Sequence, residues 1–381
     1  MSPLDFQRLA EALIAAEGSI GLTEPNPRVG CIIGLADGSV LGCGATQRAG
    51  EAHAEVMALR EARGTGRDLR GATAWVTLEP CAHHGRTPPC CNALIDAGIA
   101  RCVVCHVDPN PLVAGAGIAR LRAQGIQVDV LEANHALAVQ SRELNIGFFS
   151  RFERGRPWVR AKVACSADGR VALANGSSKW ITGPEARADG HRWRRRASAV
   201  LTGVGTVLAD DPRLDVRAVP APAQPLRIVL DSQLRTPKNA SLFARPGEVL
   251  LVTTAQAGDI DFDDWRARGA EVWNDLPLSG TQPALHALLQ QLATRRSVNE
   301  VHLEAGPTLT GAMCTAGLID EWLIYLAPLM LGPGQPAAHL APLTTLPDAP
   351  PYAWMDSCPV GQDLRLRMRR VQYVDDLYTQ A

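Results

Sequence analysis

Two short segments of the chain carry residue types that bind and use a transition metal. The first is His53-Ala54-Glu55, and the second begins at Cys81 and ends at Cys90. One imidazole and two thiolates make three zinc ligands, which leaves a fourth position for water, as in catalytic rather than structural sites. Zinc lowers the pKa of such a water towards neutrality. The pattern predicts one zinc ion per chain, bound by His53, Cys81 and Cys90, with Glu55 as general acid and base.

The predicted elements around these residues bring them together. His53 and the acid two positions later converge only at a helix N-terminus, because positions two apart on a regular helix point to nearly opposite sides. We predict that helix over residues 52–63. Cys81 follows a predicted strand over 73–78, and Cys90 lies at the start of a further helix behind two prolines. The positive end of that helix favours the thiolate form of Cys90.

The order of these residues is that of zinc-dependent nucleobase deaminases, in which H-x-E is followed by P-C-x-x-C. Here eight residues rather than two separate the cysteines, and we expect this insert to loop out as one wall of a substrate pocket. Three alternatives stay open at this point. The metal can be structural, Cys91 can replace Cys90 as ligand, and His83 or His84 can compete for the metal.

Composition restricts the partners of the chain. The 381 residues favour two domains. A net charge of -1 and 5% aromatic residues offer little for a nucleic-acid channel. No apolar stretch approaches the ~20 residues of a membrane span, and the start does not resemble a signal peptide. Ten dispersed cysteines are typical of free thiols. We therefore predict a cytoplasmic enzyme with a small-molecule substrate and with no nucleic-acid or membrane partner.

Strands and helices alternate along the chain, which predicts layered α/β domains. The alternation breaks at residues 145–158, where aromatic, basic, Gly and Pro residues mix, so we place the predicted domains at 1–147 and 148–381. Asp37-Gly38 predicts a hairpin turn. In the first half we predict helices over 4–17, 52–63, 89–96 and 117–124, and strands over 29–35, 73–78, 101–107 and 128–131. In the second half we predict helices over 184–195, 283–294 and 309–316, and strands over 158–164, 199–202, 227–230, 249–253, 301–304 and 321–326.

The second half carries two small-residue turns that follow strands. No G-x-G-x-x-G opens a helix, so a Rossmann site is not supported. Ala305-Gly306-Pro307 leads into a predicted helix whose N-terminus is suited to a phosphate, although many strand-to-helix turns look the same. The second turn, Gly203 to Thr206, precedes Asp210-Asp211-Pro212. Asp211 there is typical of a turn or a helix cap.

The segments as a set resemble a specific family, the bifunctional riboflavin-biosynthesis deaminase/reductases, over nearly the whole chain and in order. The long insert between the cysteines is itself typical of that family. The match is loose over residues 218–300. The matching segments are Pro25-Asn26-Pro27-Arg28-Val29-Gly30, His53-Ala54-Glu55-Val56, 77–90, Ala164-Cys165-Ser166-Ala167-Asp168-Gly169-Arg170, Trp180-Ile181-Thr182-Gly183, 205–212 and 304–309.

The resemblance implies a fold for each half and two successive reactions. The N-terminal domain would have a cytidine-deaminase-like α/β/α fold, and the C-terminal domain a dihydrofolate-reductase-like α/β fold. The first reaction would be hydrolytic deamination of 2,5-diamino-6-(5-phosphoribosylamino)pyrimidin-4-one. In the second, NADPH would reduce the ribosyl group to a ribityl phosphate. The family and general base rates favour a homodimer or a higher homo-oligomer.

The resemblance also assigns residues of the second half. Planar guanidinium groups suit a phosphate, and Asp210 would contact the ribose hydroxyls as well as the cofactor. Without the resemblance, Asn26 would be read as a turn residue and Trp180 equally well as a buried core residue. The substrate-binding residues implied are Asn26, Ser178, Arg194, Asp210, Leu214, Arg217 and Glu304. The NADPH-binding residues implied are Ala164, Trp180, Thr206, Asp210, Ser232, Gly306, Pro307, Thr308, Leu309, Thr310 and Gly311.

Other functions are weighed against this one. The principal alternative is a zinc-dependent nucleobase or tRNA deaminase with a non-catalytic C-terminal domain. It would need a basic channel with stacking aromatic residues if it bound tRNA. A zinc module without catalysis is a further alternative, and turnover by a Glu55→Gln variant would separate it from an enzyme.

Overall fold

A computed structural model describes residues 1–83, 85, 88–244, 247–256 and 262–371. Within it the chain divides into two compact units, residues 1–154 and residues 155–371. The division predicted from sequence, between 147 and 148, falls inside a helix that closes the first unit, Ile146–Arg154. Each unit is described below by itself.

The first unit contains six helices and five strands within its described residues. Apart from the β1–β2 hairpin they alternate up to residue 130, and two helices follow. The helices are α1 (Pro3–Glu17), α2 (Ala54–Gly64), α3 (Cys90–Asp96), α4 (Ala116–Ala123), α5 (Ala136–Leu144) and α6 (Ile146–Arg154), and the strands are β1 (Gly30–Gly34), β2 (Val40–Ala45), β3 (Thr73–Val76), β4 (Arg101–Val104) and β5 (Gln127–Val130).

A five-stranded sheet of order β2-β1-β3-β4-β5 lies at the centre of this unit. β1 is antiparallel to β2 and β3, whereas β3, β4 and β5 are parallel. One face packs against α1 and α5 through a cluster that includes Leu9, Ile32, Trp75, Val103 and Ala138. The other face carries the larger core, to which α2, α3 and α4 contribute. The result is an α/β/α sandwich.

Close packing of α2 on β2 places the start of that helix beside the sheet. Gly44 makes this approach possible, since a Cβ atom there would lie 2.2 Å from the carbonyl oxygen of Ala54 and 2.3 Å from the backbone nitrogen of Ala58. Any other residue would push the helix away from the strand. Because α2 begins at Ala54, this contact also positions His53, the residue that caps it.

The second unit contains a larger sheet and five helices within its described residues. Helices are interspersed among the strands up to β15, and an antiparallel hairpin ends the unit. The helices are α7 (Pro184–Arg196), α8 (Val204–Asp210), α9 (Asp263–Ala267), α10 (Leu285–Arg295) and α11 (Pro307–Thr315), and the strands are β6 (Trp158–Ser166), β7 (Arg170–Leu173), β8 (Ala199–Gly203), β9 (Leu226–Leu230), β10 (Val249–Val252), β11 (Ala270–Trp273), β12 (Leu278–Ser279), β13 (Gln282–Pro283), β14 (Glu300–Leu303), β15 (Glu321–Ala327), β16 (Gly334–Pro336), β17 (Tyr352–Val360) and β18 (Asp363–Arg370).

Nine of these strands form one sheet of order β11-β10-β9-β8-β14-β6-β15-β18-β17. Pairing is parallel from β11 to β15, and the β17–β18 hairpin adds to β15 in antiparallel orientation. The main core lies on the face covered by α10 and α11. The opposite face packs against α8 and α9 at one end and against α7 at the other.

The prediction of layered α/β domains is confirmed in both units. Several elements were not predicted from the sequence, and one of them, α8, occupies residues interpreted there as part of a Gly-rich turn. The unpredicted elements are α5, α6, α8, α9, β7, β11, β12, β13, β16 and the β17–β18 hairpin. No helix among the described residues has the length and hydropathy needed to cross a membrane.

A buried carboxylate ties α1 to the sheet of the first unit. Asp5 is 1% exposed and accepts hydrogen bonds from Trp75 Nε1 at 2.8 Å and from Arg101 Nη1 at 2.6 Å. Burial alone would raise the pKa of Asp5, but hydrogen bonds from Arg101, Ser2 and Trp75 outweigh it and hold the pKa well below its ordinary value. The ionised form therefore stabilises the fold.

We predict that Asp5→Asn lowers the free energy of unfolding of the first unit by about 2–3 kcal/mol at pH 7, since a charged acceptor is lost from a buried network. A depressed pKa gives stability that is complete above the unfolded value, near 3.9, and is lost as the pH falls. The difference between the variant and the parent should thus shrink below about pH 4. Hydrogen exchange of α1 and β4 measures it, and Asp37→Asn, an exposed turn residue, is the control. An equal effect of both substitutions would contradict the prediction.

Candidate functional site

The predicted metal ligands of the first unit meet in one cluster. The Nδ1 atom of His53 lies 3.7 Å from Cys81 Sγ and 3.4 Å from Cys90 Sγ. All three ligand atoms lie within 4.8 Å of one another, and within the described residues they are the one such group of three or more His, Cys, Asp or Glu side chains. The structure thus brings together three residues that are separated by up to 37 positions in the sequence.

Each ligand stands where an element ends or begins. His53 has extended backbone angles and precedes the first turn of α2. Cys81 follows β3 after four buried residues, and Cys90 is the first residue of α3. The backbone N–H of Cys90 donates to Cys81 Sγ at 3.3 Å, so the positive end of α3 faces the sulfur of Cys81, whereas the sequence predicted that it would favour the thiolate of Cys90.

The donor set and its spacing fit a zinc ion. Zn–S bonds of about 2.3 Å and Zn–N bonds of about 2.0 Å, at tetrahedral angles, separate a nitrogen from a sulfur by about 3.5 Å. The two observed N–S separations of 3.4 and 3.7 Å match that value. The pKa of Cys81 is lowered to about 4, because its sulfur accepts hydrogen bonds from the Cys90 thiol and from His53. A thiolate is therefore available for a metal at neutral pH.

Glu55 lies in the first turn of α2, two residues beyond His53, and is 3% exposed. Burial raises the pKa of Glu55 to about 7, with a further contribution from the negative charge of Cys81. A carboxyl group with a pKa near neutrality both accepts and donates a proton at physiological pH. The position and the protonation behaviour of Glu55 are those required of a general acid and base.

The structure distinguishes the two adjacent cysteines, since Cys90 belongs to the cluster and Cys91 does not. Cys91 Sγ points towards backbone carbonyl oxygens, at 2.9 Å from that of Cys81 and 3.2 Å from that of Pro80. Burial raises the pKa of Cys91 to about 12, which keeps it a thiol. His83 is exposed and does not belong to the cluster. His84, the other predicted competitor, lies outside the described residues.

A buried acid that the sequence analysis did not consider holds the loop after β4. Glu79 accepts the backbone N–H groups of Asp108 at 3.1 Å, Gly115 at 2.9 Å and Ile118 at 3.0 Å. This fixes the loop beside Pro80 and Cys81. The available signal was a charged residue in an apolar strand end, Val76-Thr77-Leu78-Glu79. Asn26 lies in a turn before β1, where its backbone N–H donates to Thr23 O at 2.9 Å.

The predicted cofactor residues of the second unit follow the carboxyl ends of neighbouring parallel strands. Thr206 comes after β8, Ser232 after β9, and the run from Gly306 to Gly311 after β14, while Ala164 lies near the end of β6. In a parallel sheet these ends share one edge, which is where such sheets bind ligands. A direct contact joins two of the turns: the N–H of Gly306 donates to Thr206 Oγ1 at 3.3 Å.

The other predicted cofactor residues have different surroundings. Trp180 is 69% exposed, with the guanidinium of Arg187 4.6 Å from its ring centre, so the alternative of a buried core tryptophan is wrong. Ser232 Oγ donates to Gln282 Oε1 at 2.5 Å. Asp210 ends α8 and lies 3.7 Å from Lys179 Nζ.

Two of the predicted substrate residues, Arg194 and Glu304, pair directly, and a third, Arg217, is linked to Arg194 through Asp215. Arg194, on α7, donates two hydrogen bonds to the carboxylate of Glu304, the second from Nη2 at 2.8 Å, and its Nη1 donates to the carbonyl of Asp215 at 2.9 Å. Arg217 donates to the Asp215 carboxylate at 2.6 Å. Leu214, next to Asp215, is buried with a left-handed φ of +53°, a conformation that costs energy for leucine. Ser178 is half-buried in the loop before α7.

Two titratable residues near Glu304 were missed, the buried His302 and the half-buried Lys162. His302 Nε2 lies 3.2 Å from Glu304 Oε1. Burial lowers the pKa of Lys162, while the charge of Glu304 opposes that change. Burial would raise the pKa of Glu304, but Arg194 outweighs it and holds the pKa well below its ordinary value. The signal was the alternation Trp158, Arg160, Lys162 along an otherwise apolar strand, because alternate residues share one face.

Comparison with known proteins agrees with both halves. Residues 5–106 match the family described as cytidine and deoxycytidylate deaminase zinc-binding region, and residues 157–364 match the family described as RibD C-terminal domain. The zinc site predicted from sequence thus lies in a zinc-binding domain, and the predicted pair of folds is confirmed. A nucleobase or tRNA deaminase with a non-catalytic second domain is not favoured.

Relatives resemble the whole chain rather than one domain. The riboflavin biosynthesis protein RibD of Escherichia coli is 42% identical over 378 residues, which cover 96% of this chain and 99% of the relative. The structure of Acinetobacter baumannii RibD superposes with a TM-score of 0.87 at 39% identity and covers 97% of this chain and 99% of that one. A diaminohydroxyphosphoribosylaminopyrimidine deaminase/5-amino-6-(5-phosphoribosylamino)uracil reductase from Thermotoga maritima superposes with a TM-score of 0.85 at 29% identity, covering 96% and 99%.

Both units of the chain are covered by family matches. The metal cluster with its buried acid lies in the deaminase half, and the Arg194–Glu304 pair lies in the half matched by the C-terminal domain. The chain therefore belongs to the RibD family of riboflavin biosynthesis proteins and is an enzyme with both a deaminase and a reductase domain.

Proposed function

We propose that the chain deaminates 2,5-diamino-6-(5-phosphoribosylamino)pyrimidin-4-one by hydrolysis and then reduces the ribosyl group of the product to ribityl phosphate with NADPH. In this proposal residues 1–147 carry the first reaction and residues 148–381 the second. The observation that carries it is the convergence of His53, Cys81 and Cys90 beside a buried Glu55, in a chain that also retains the paired Arg194 and Glu304.

In the deaminase half, His53, Cys81 and Cys90 would hold zinc, which when bound activates a water as the nucleophile. Glu55 accepts the proton of that water and delivers it to the departing amino group, which leaves as ammonia while oxygen takes its place on the ring. A pKa of about 7 suits both transfers. Asn26 binds the substrate ring in this proposal.

In the reductase half, NADPH would supply the hydride, and the protein would orient it against the sugar carbon. We assign the dinucleotide to the carboxyl edge formed by Thr206, Ser232 and the Gly306–Gly311 turn, together with Ala164, Trp180 and Asp210. The N-terminus of α11 suits its phosphates. The substrate is held by Ser178, Asp210, Leu214, Arg217 and the Arg194–Glu304 pair. Lys162, half-buried on β6, interacts with the charges of that pair.

The same proposal includes a cytoplasmic homodimer or higher homo-oligomer that binds neither nucleic acid nor membrane. All ten cysteines are free thiols, which is typical of a reducing compartment. The oligomeric state and the absence of those partners remain predictions from the resemblance and the composition.

The test is zinc content together with ammonia release from the diaminopyrimidinone phosphoriboside, before and after NADPH is added. About one zinc per chain, ammonia without NADPH, and NADPH consumption only after deamination are the expected results. Ammonia release without any NADPH consumption would contradict the reductase half. Zinc without ammonia release would contradict the substrate assigned to the first half.

Replacement of Glu55 by Gln removes the titratable proton while keeping the size of the side chain. We predict that Glu55→Gln retains about one zinc per chain and that its deamination rate falls by about 10²–10⁴-fold. Metal analysis and ammonia release measure the two effects. Glu61→Gln, an exposed substitution on the same helix, is the control. An unaltered rate in Glu55→Gln would exclude the acid–base role.

Adjacent cysteines allow a matched test of the ligand set. Cys90→Ser removes a sulfur from the cluster, whereas Cys91→Ser replaces a thiol that faces carbonyl oxygens. We predict loss of most bound zinc in the first variant and about one zinc per chain in the second. Metal analysis after dialysis against a weak chelator decides between them, and the reverse pattern would assign the metal to Cys91.

Arg194 tests the substrate site of the second unit. Lysine keeps the charge but cannot form the paired bonds to Glu304 together with the bond to the Asp215 carbonyl. We predict that Arg194→Lys raises the KM of the reductase for its phosphorylated substrate about tenfold or more. Arg192→Lys, an exposed substitution on the same helix, is the control. Equal KM values for the two variants would contradict the assignment.

A further inference from the structure

We call the Gly306–Gly311 turn, to which the proposed function assigns the dinucleotide, the cofactor turn. It is covered by a segment that the proposed function does not use. We call residues 331–341 the strap; it contains β16 and passes over the start of α11. The N–H of His339 donates to the carbonyl of Pro307 at 2.9 Å. A Cβ atom on Gly311 would lie 2.1 Å from the carbonyl oxygen of His339, so the strap can lie here only because residue 311 is glycine.

Gly306 differs from Gly311 in what surrounds it. The nearest atom to a Cβ on Gly306 would be Thr206 Oγ1, at 3.9 Å, which is ordinary contact. The space at Gly306 is thus open to a ligand, whereas the space at Gly311 is filled by the strap. The two ends of the cofactor turn therefore have separate tasks: one faces the dinucleotide, and the other receives the strap.

Asp168 fixes the start of the strap. Its carboxylate accepts the N–H of Leu331 at 3.1 Å and that of Gly332 at 2.8 Å, and the hydroxyl of Ser166 at 2.5 Å. Hydrogen bonds to an ionised acceptor are stronger than those to a neutral one. Asp168 belongs to the Ser166-Ala167-Asp168-Gly169-Arg170 motif, to which the proposed function assigns no task.

We infer that Asp168 is a positioning residue for the NADPH site, acting through the strap on the N-terminal turn of α11. It does not contact the cofactor in this role. Its carboxylate binds the N–H groups of residues 331 and 332, and β16 pairs with β7 further along the strap. At the far end of the strap, His339 contacts Pro307 and Gly311. The inference rests on the proposed assignment of the dinucleotide to the α11 turn.

The test uses the full-length, zinc-loaded chain with Asp168→Ala, Asp168→Asn and Gly311→Ala. We expect Asp168→Ala to weaken NADPH binding about three- to tenfold, and Asp168→Asn, which keeps one acceptor oxygen, to weaken it less. The reductase kcat at saturating NADPH should stay within about twofold. Gly311→Ala should displace the strap without altering Asp168, because the added Cβ clashes with the carbonyl oxygen of His339. If both act through the strap, the double variant Asp168→Ala/Gly311→Ala is no weaker in NADPH binding than the worse single variant.

Two control substitutions match the chemistry of the test. Asp348→Asn alters an exposed aspartate of the same unit that accepts the N–H of Thr345, outside the strap. Gly190→Ala adds a Cβ that meets no atom within 4 Å. Hydrogen exchange of residues 331 and 332 gives a readout that needs no cofactor, and we expect it to rise in both Asp168 variants. The deamination rate of the Asp168 variants should equal that of the parent.

Each outcome either supports or overturns the role of Asp168 in positioning the NADPH site. Weaker NADPH binding with preserved kcat, faster exchange at the strap and a non-additive double variant support the inference. Faster exchange with unchanged NADPH affinity overturns it, as does a fall in kcat without a change in affinity. Equal NADPH affinity of the parent and the variants overturns the inference and leaves the proposed function standing. Failure of the parent chain itself to bind NADPH overturns the proposed reductase half and the inference with it.

Discussion

A buried carboxylate must be paired with a cation or become a weak acid, and the two units resolve this constraint in opposite ways. Glu55 is buried at the start of α2 beside sulfur ligands, and its pKa rises to about 7. Glu304 is half-buried, and the guanidinium of Arg194 keeps it ionised. One glutamate can thereby exchange a proton near neutral pH, whereas the other stays an anion. The difference follows from the neighbouring element, not from the residue itself.

The same constraint extends across the sheet of the second unit. Beneath α7, residues of four strands present charges to one another beside a small apolar cluster. Glu321 is fully buried and is paired with three arginines. Trp193 lies among arginine side chains with guanidinium carbons 4.5, 5.1 and 5.7 Å from its ring centre. Because each charge here has an opposite partner, α7 can neither rotate nor slide without leaving one unpaired. Arg194, on that helix, consequently meets Glu304 in a fixed geometry. The charged residues of this layer are Arg160, Asp189, Arg196, Glu300, Glu321, Arg365, Arg367 and Arg369.

Apolar periodicity predicted the elements whose faces differ clearly, and it failed where charge or aromatic residues are buried. The segment 146–154 contains Phe148 and Phe149 among arginines and resembles a linker, but both rings are buried in the main core and the segment is α6. The β17–β18 hairpin was missed because arginines alternate along 365–369. Periodicity treats an arginine as exposed, although a carboxylate on the next strand makes its burial possible.

The metal cluster was predictable because its residue types and spacing permit few other uses, whereas supporting residues depend on pairings that only the fold creates. Glu79 binds three N–H groups that lie 29 to 39 residues further along the chain. A glycine is still harder to interpret. Resemblance assigned Gly306 and Gly311 to one cofactor turn, yet only the first faces open space and the second receives a backbone carbonyl from residue 339. A small residue in a binding motif thus records a close approach without saying whether ligand or protein makes it, and the distances in the folded chain supply that distinction.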